Sequence, residues 1–156
     1  MDGIVGVISD THGLLRPEAL EKLKGSDLII HAGDIGGRHI IDALQAVAPV
    51  RAVRGNVDTG LWALSLPQTD LIEFGQTLFY AIHDVGALDI DPAAAGVSVV
   101  ISGHSHRPAL RKENGILLLN PGSAGPRRLK LPVSMARIVI QHGRIEARLI
   151  EIDAPG

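Results

Sequence analysis

Short apolar runs recur through the first third of the chain, and each empties into a polar loop. Ile4 to Ile8 ends in Ser9-Asp10-Thr11-His12-Gly13, the pattern of a buried strand that hands polar side chains to a loop. Pro17 opens a predicted helix to about Lys24; proline is harmless in a first turn, and Gly25 stops the helix. Leu28 to His31 repeats the strand and runs into Gly33-Asp34-Ile35-Gly36-Gly37, after which a helix is predicted from Arg38 to Val47. Val50 to Val53 is a third strand, leading into Arg54-Gly55-Asn56-Val57-Asp58. Strands alternating with short helices predict βαβ crossovers and a parallel sheet. Loops at the carboxyl ends of such strands gather along one edge, so Asp10, His12, Asp34 and Asn56 are expected to converge.

The second half is rich in strands. Asp70 to Phe74 and Thr77 to Ile82 flank Gly75-Gln76, and Ala136 to Ile140 and Ile145 to Ile150 flank Gln141-His142-Gly143-Arg144. Both read as hairpins. Val97 to Ile101 is a further strand leading into Ser102-Gly103-His104-Ser105-His106. Few helices remain to cover this half, which predicts two sheets packed face to face with helices outside. No internal repeat or linker interrupts the pattern, and one domain is expected over residues 1–156.

Composition narrows the function. With 46% hydrophobic and 21% charged residues, the chain has the balance of a globular protein rather than a disordered one. A net charge of −2 and a pI near 6.4 supply no global positive field for nucleic acid or anionic lipid. Without cysteine, disulfides and thiolate chemistry are excluded, any metal must be held by imidazole, carboxylate or amide groups, and a cytoplasmic location fits. Met1-Asp2-Gly3 and the short run after it lack the features of a signal peptide and read as mature protein. No run approaches the roughly 18 apolar residues that cross a bilayer. The absence of a Walker phosphate loop or a Gly-x-Gly-x-x-Gly fingerprint argues against an NTPase or dinucleotide enzyme.

The candidate chemistry sits at strand ends. Residues two apart on extended chain point the same way, so Asp10 and His12 can reach one ion; alone, Asp10 reads as well as a helix cap or turn residue. Asp34, among glycines, reads equally as the N-cap of the next helix. Asn56 can be a plain turn residue, or it can give an amide oxygen to a metal and an NH2 group to phosphate. His83, His104 and His106 also follow strands. His39 in a helix and His142 in a turn fit solvated surface, whereas His31 reads as a ligand or as a strand-end histidine bonded to backbone.

Taken in order, Asp10-x-His12, Gly33-Asp34, Gly55-Asn56, His83 and Gly103-His104-x-His106 resemble the signature of the calcineurin-like metallophosphoesterases, particularly small bacterial and archaeal phosphodiesterases. Asn120-Pro121-Gly122-Ser123 resembles the turn that these small members carry beneath the metal loops, so the resemblance spans almost the whole chain. It implies an α/β, four-layer αββα sandwich of two mixed sheets, the metallo-dependent phosphatase fold. It also implies one divalent ion on Asp10, His12 and His106, a second on Asn56, His83 and His104, and Asp34 bridging both. With a bridging hydroxide that would attack phosphorus in line, each ion has about five ligands. Mn, Fe, Ni, Co or Zn suits this thiol-free set, with Mn preferred. Catalysis is expected to depend on Asp34, Asn56 and His83, the substrate to be a small phosphate ester, and homo-oligomers resemble the family. The alternative within the resemblance is a membrane-coat scaffold subunit of the same fold that has lost ligands and catalysis.

The sequence departs from this pattern after His83. Where small members commonly carry His-Gly and a further polar residue or histidine, this chain has His83-Asp84-Val85-Gly86. The histidine that would protonate a leaving group is therefore missing. An inward-facing Asp84 is expected to disfavour dianionic monoesters relative to diesters. Arg16, Arg38, Arg107, Arg127 and Arg128 are candidate phosphate contacts, with solvated surface charge as the other reading.

Overall fold

The computed structural model of the chain describes residues 2–152, so Met1 and the last four residues of the expected domain lie outside the described residues. The strands are β1 (Gly3–Ile8), β2 (Leu28–His31), β3 (Val50–Ala52), β4 (Thr69–Phe74), β5 (Thr77–Ile82), β6 (Val99–Ile101), β7 (Ala109–Glu113), β8 (Ile116–Asn120), β9 (Ser134–Gln141) and β10 (Arg144–Glu151). Helix α1 (Pro17–Leu23) follows β1 and α2 (Arg38–Gln45) follows β2. Both helices stop slightly short of their expected ends.

One sheet has the order β10-β9-β1-β2-β3 and the other β4-β5-β6-β8-β7. Each is mixed: β1, β2 and β3 are parallel while β9 runs against β1, and β5, β6 and β8 are parallel between antiparallel edges. Alternation along the strands assigns each residue to a layer. Val5 and Val7 of β1, Ile30 of β2 and Ile138 of β9 join Phe79, Ala81, Val99, Ile101 and Leu119 in the core between the sheets. Ile8 and Ile29 point the other way, onto Leu23 of α1 and Ile40 and Leu44 of α2. Each such fully buried aliphatic side chain contributes about 1.5–3 kcal/mol relative to exposure. On the far face of the second sheet, Tyr80, Ile82 and Val100 are covered by Val97, Leu88 and Ile90. This outer layer is a segment with one 3-10 turn at Val85–Ala87 instead of an α-helix.

The β7–β8 hairpin is absent from the sequence reading. Its turn is Asn114-Gly115, both at positive φ (52° and 80°), the type I′ pairing whose twist matches the flanking strands. The hairpin expected at Gly75-Gln76 joins β4 to β5, and that at His142-Gly143 joins β9 to β10.

Candidate metal centre

The carboxyl ends of β1, β2 and β3 carry three polar loops to one edge of the first sheet, and β5 and β6 carry two more from the second. Backbone bonds fasten these loops together: Asp10 N–H donates to the Gly33 carbonyl at 3.0 Å, His12 N–H to Asp34 at 2.9 Å, and Gly103 N–H to His83 at 2.9 Å. Five of the converging residues, Asp10, His12, Asp34, His104 and His106, sit at positive φ between 46° and 73°. That conformation is costly outside glycine and persists only where the surroundings impose it, characteristically at functional sites.

All seven residues singled out from the sequence meet here. The potential ligand atoms of Asp10, His12 and His106 lie within 4.8 Å of one another, as do those of Asp34, His83 and His104. Asp34 Oδ2 lies 3.2 Å from His83 Nε2 and 3.6 Å from His12 Nε2, so it stands between the groups. The Asn56 amide oxygen is 3.3 Å from Asp34 Oδ2 and 3.2 Å from His83 Nε2. It faces acceptors; turning the amide over satisfies it with hydrogen bonds, and a cation satisfies it as it stands.

The capping readings of the two carboxylates do not hold. The N-caps of α1 and α2 are Arg16 and Gly37, neither with a side-chain cap bond. Asp34 Oδ1 instead accepts from Val57 N–H at 3.1 Å. Asp10 Oδ2 accepts from the Ser9 hydroxyl at 2.7 Å and from His104 N–H at 3.1 Å.

Electrostatics favours a cation. Burial pushes the Asp10 carboxyl above its usual range despite the Ser9 hydrogen bond and the charges of His83 and His106. Burial also pulls at Asp34, but the His83 and Val57 hydrogen bonds and the nearby imidazoles outweigh it and hold Asp34 low. For His83, burial opposes protonation, and its bonds to Asp34 and the Ala32 carbonyl more than compensate, raising it. His106 is lowered by burial, against Asp10 and with His12 and Arg128. Asp10 Oδ1 is buried without a hydrogen-bond partner, while His106, His12 and His83 Nε2 stand 3.4, 3.7 and 3.9 Å away. A divalent ion held here would give this oxygen a positive partner and would invert the local pKa pattern. The His83 Nδ1–H donates to the Ala32 carbonyl at 2.7 Å, which leaves Nε2 free for a metal.

His31 lies outside this set. Its Nδ1 accepts from Gly33 N–H at 3.1 Å, and its Nε2 lies 3.0 Å from the Thr11 hydroxyl, which itself donates to the Ile35 carbonyl. Thr11 therefore accepts from His31 Nε2–H, and the ring is neutral. Complete burial, with the His83 charge added, lowers its pKa to about 3. The unfolded chain then takes up the proton more readily: His31 leaves stability unchanged above about pH 6.5 and costs stability as pH falls from there towards 3. At pH 5 the cost is about 2 kcal/mol. In urea titrations at pH 7 and pH 5, His31→Gln is expected to lose that much less on acidification than wild type. Equal losses in both proteins would remove His31 from the acid response.

Two further features support these loops. Asp58, unremarked in the sequence beyond its loop, is buried and accepts from Ile35 N–H at 2.9 Å, Gly36 N–H at 3.0 Å and Gly55 N–H at 2.9 Å. The turn at Asn120-Pro121-Gly122-Ser123 braces the histidine loop from below. Asn120 Nδ2 donates to the Gly103 carbonyl at 2.9 Å, and the Ser123 hydroxyl donates to the Asp10 carbonyl at 2.9 Å. A Cβ on Gly103 would strike Ser9 Oγ and Asp10 Oδ2, which explains a glycine before His104.

Other expectations need correction. Asp84 does not line the cleft: its carboxylate accepts from Gly86 N–H at 2.9 Å and caps the 3-10 turn, the local bond that an Asx residue makes most readily. Of the five arginines, only Arg127 and Arg128 line the cleft. Arg16 is buried and donates to the Gly125 carbonyl at 3.1 Å, Arg38 faces Asp42 at 3.7 Å, and Arg107 lines a different groove. His39 and His142 are exposed, as read.

The sequence model of the calcineurin-like phosphoesterase superfamily domain matches residues 4–143. Probable metallophosphoesterases of Methanocaldococcus jannaschii and Methanothermobacter thermautotrophicus are 36% and 35% identical, with 96% and 97% of this chain aligned to 82% and 94% of theirs. Among solved structures, Vps29 of Chaetomium thermophilum superposes with a TM-score of 0.77 at 18% identity, over 96% of this chain and 97% of that one. A novel archaeal phosphodiesterase superposes at 0.73 and 22% identity, over 96% and 99%. Likeness at that level shows a shared fold; with the family match over nearly the full length, the chain belongs to the calcineurin-like phosphoesterase superfamily.

Proposed function

We propose that this protein is a phosphodiesterase that hydrolyses small phosphate esters with two divalent ions. The observation that carries the reading is Asp34, whose carboxylate stands between two groups of metal-ligating side chains. Asp10, His12 and His106 would hold one ion and Asn56, His83 and His104 the other, with Asp34 shared. Bound there, two divalent ions acidify a water for in-line attack and neutralise charge on the phosphoryl oxygens. The protein's part is to fix the ligands: Ala32 orients His83, Ser9 and the His104 amide orient Asp10, and Asn120 holds the loop of His104 and His106.

Asp84 gives no support to a diester preference. The described lining of the cleft is His12, Asp34, Asn56, Val57, His104, His106, Pro126, Arg127 and Arg128. Every carboxylate and imidazole there belongs to the proposed ligand set, so no separate one protonates the leaving group, and esters of acidic alcohols are favoured. The diester reading is proposed from the fold shared with an archaeal phosphodiesterase.

The test is chelation followed by metal return, assayed on bis-p-nitrophenyl phosphate and p-nitrophenyl phosphate. Four imidazoles favour borderline transition metals over hard oxygen-seeking ions, so Mn2+ or Ni2+ is expected to restore at least tenfold more activity than Mg2+, with the diester the better substrate. Equal rescue by Mg2+ contradicts the ligand set, and a better monoester contradicts the preference.

A further inference from the structure

The edge of a sheet presents a row of unpaired backbone groups, and proteins blunt such edges by keeping them short, charged, bulged or covered. Here β3 is three residues long, and β7 carries Arg111, Lys112 and Glu113 in succession. Strand β10 lacks these devices. It runs for eight residues without proline, glycine or lysine and pairs with β9 in unbroken register. Among the described residues, β9 is its only strand neighbour. A groove of about 780 Å³ lined by Glu21, Lys22 and Arg148 lies on one side of it, and one of about 350 Å³ lined by Leu110, Lys112 and Ile145 on the other. A further strand therefore has room to approach this edge.

The hairpin decides which groups are free. His142 and Gly143 form its two-residue turn, with φ of 51° and 77°, and the pair that closes such a turn, Gln141 and Arg144, exchanges both backbone hydrogen bonds. Arg144, Glu146, Arg148 and Ile150 thus direct their N–H and C=O groups at β9, while Ile145, Ala147, Leu149 and Glu151 direct theirs outward. An antiparallel partner must set outward residues against outward residues. For a second copy of the same strand, related by a two-fold axis, charge then selects the register. An axis at Glu146 or at Arg148 opposes that residue to itself. An axis at Ala147 sets Glu146 against Arg148 of the partner subunit, twice by symmetry, and Ile145 against Leu149 of the partner subunit, using nearly the whole strand. Among the described residues, neither the Glu146 nor the Arg148 side chain has an ion-pair partner within its own chain. Arg148 moreover stands opposite Arg137 in the hairpin, a like-charge pair that an acid arriving on the free side offsets. We propose that β10 is a dimer interface, through which two copies of this chain join antiparallel about an axis at Ala147 and merge their first sheets into one.

Sedimentation equilibrium of the full chain, with Mn2+ present, tests the interface and its register together. Wild type is expected to dimerise at concentrations of about 50 µM. Glu146→Arg and Arg148→Glu each turn both attractive contacts into repulsive ones, and each is expected to weaken self-association at least tenfold, or about 1.4 kcal/mol. Both side chains are exposed, so the variants should keep the far-ultraviolet circular dichroism of wild type. An equimolar mixture of the two variants is expected to recover wild-type association, because position 146 of one copy then meets position 148 of the other with opposite charge at both contacts. A wild type that stays monomeric overturns the interface and leaves the edge to an extended segment of another protein. Single variants that dimerise as wild type does place the contact elsewhere. A mixture that stays as dissociated as its components overturns the axis at Ala147.

Discussion

Asp34→Asn is expected to lower kcat/KM for a phosphodiester more than a hundredfold in a protein that still folds. The substitution preserves shape, and the Asn amide oxygen can still accept from Val57 N–H, the 3.1 Å bond that ties this loop to the next. What it removes is the anion beside His83 and His12, at 3.2 and 3.6 Å. Two dications 4 Å apart repel by roughly 16 kcal/mol at an effective dielectric of 20, and a shared carboxylate offsets part of that. A hundredfold loss requires only about 2.7 kcal/mol of it. Metal content per chain should fall along with turnover, while the far-ultraviolet circular dichroism stays that of wild type. Near-wild-type turnover in the folded variant would end the bridging role.

The convergence of these residues was legible because of where each stands relative to a strand. Asp10, Asp34, Asn56, His83, His104 and His106 all follow β-branched or apolar runs, and parallel strands place such ends on one edge. The positions that misled were those whose neighbours are distant in sequence. Arg16 and Arg127 read alike on paper; packing sends Arg16 inward to Gly125 and places Arg127 over the cleft. Asp84 adjoins His83, yet its carboxylate accepts from Gly86 N–H two residues on and is not part of the cleft lining. The β7–β8 hairpin is not legible from alternation, although Asn114-Gly115 is a strong turn signal. Ala109–Glu113 is exposed throughout and Ile116–Asn120 is a nearly unbroken apolar run, so neither strand shows alternation.

Asp58 is the supporting residue hardest to find from sequence, and replacing it should be nearly as damaging as replacing a proposed ligand. Its carboxylate binds amides of the Gly33–Gly37 loop and of its own loop, across 22 and 23 residues of chain, so no local pattern could reveal the link. The two loops touch so closely that a Cβ on Gly55 would collide with the Asp34 amide nitrogen. Asp58→Ala would strand the buried Ile35 and Gly55 N–H groups, at about 1–3 kcal/mol each, and open the gap that keeps Asn56 against Asp34. At roughly 2–4 °C per kcal/mol for a chain of this size, the melting temperature of the metal-free protein should fall by about 4–24 °C. Binding of Mn2+ should weaken at least tenfold, because the ligands must be reassembled by the ion itself. Asp58→Asn keeps one acceptor oxygen and should fall between the two. The graded series matters, since a ligand lost directly would leave the metal-free melting temperature nearly unchanged. A melting temperature within 2 °C of wild type in Asp58→Ala, with unaltered Mn2+ affinity, would show that the loops hold their positions without this carboxylate.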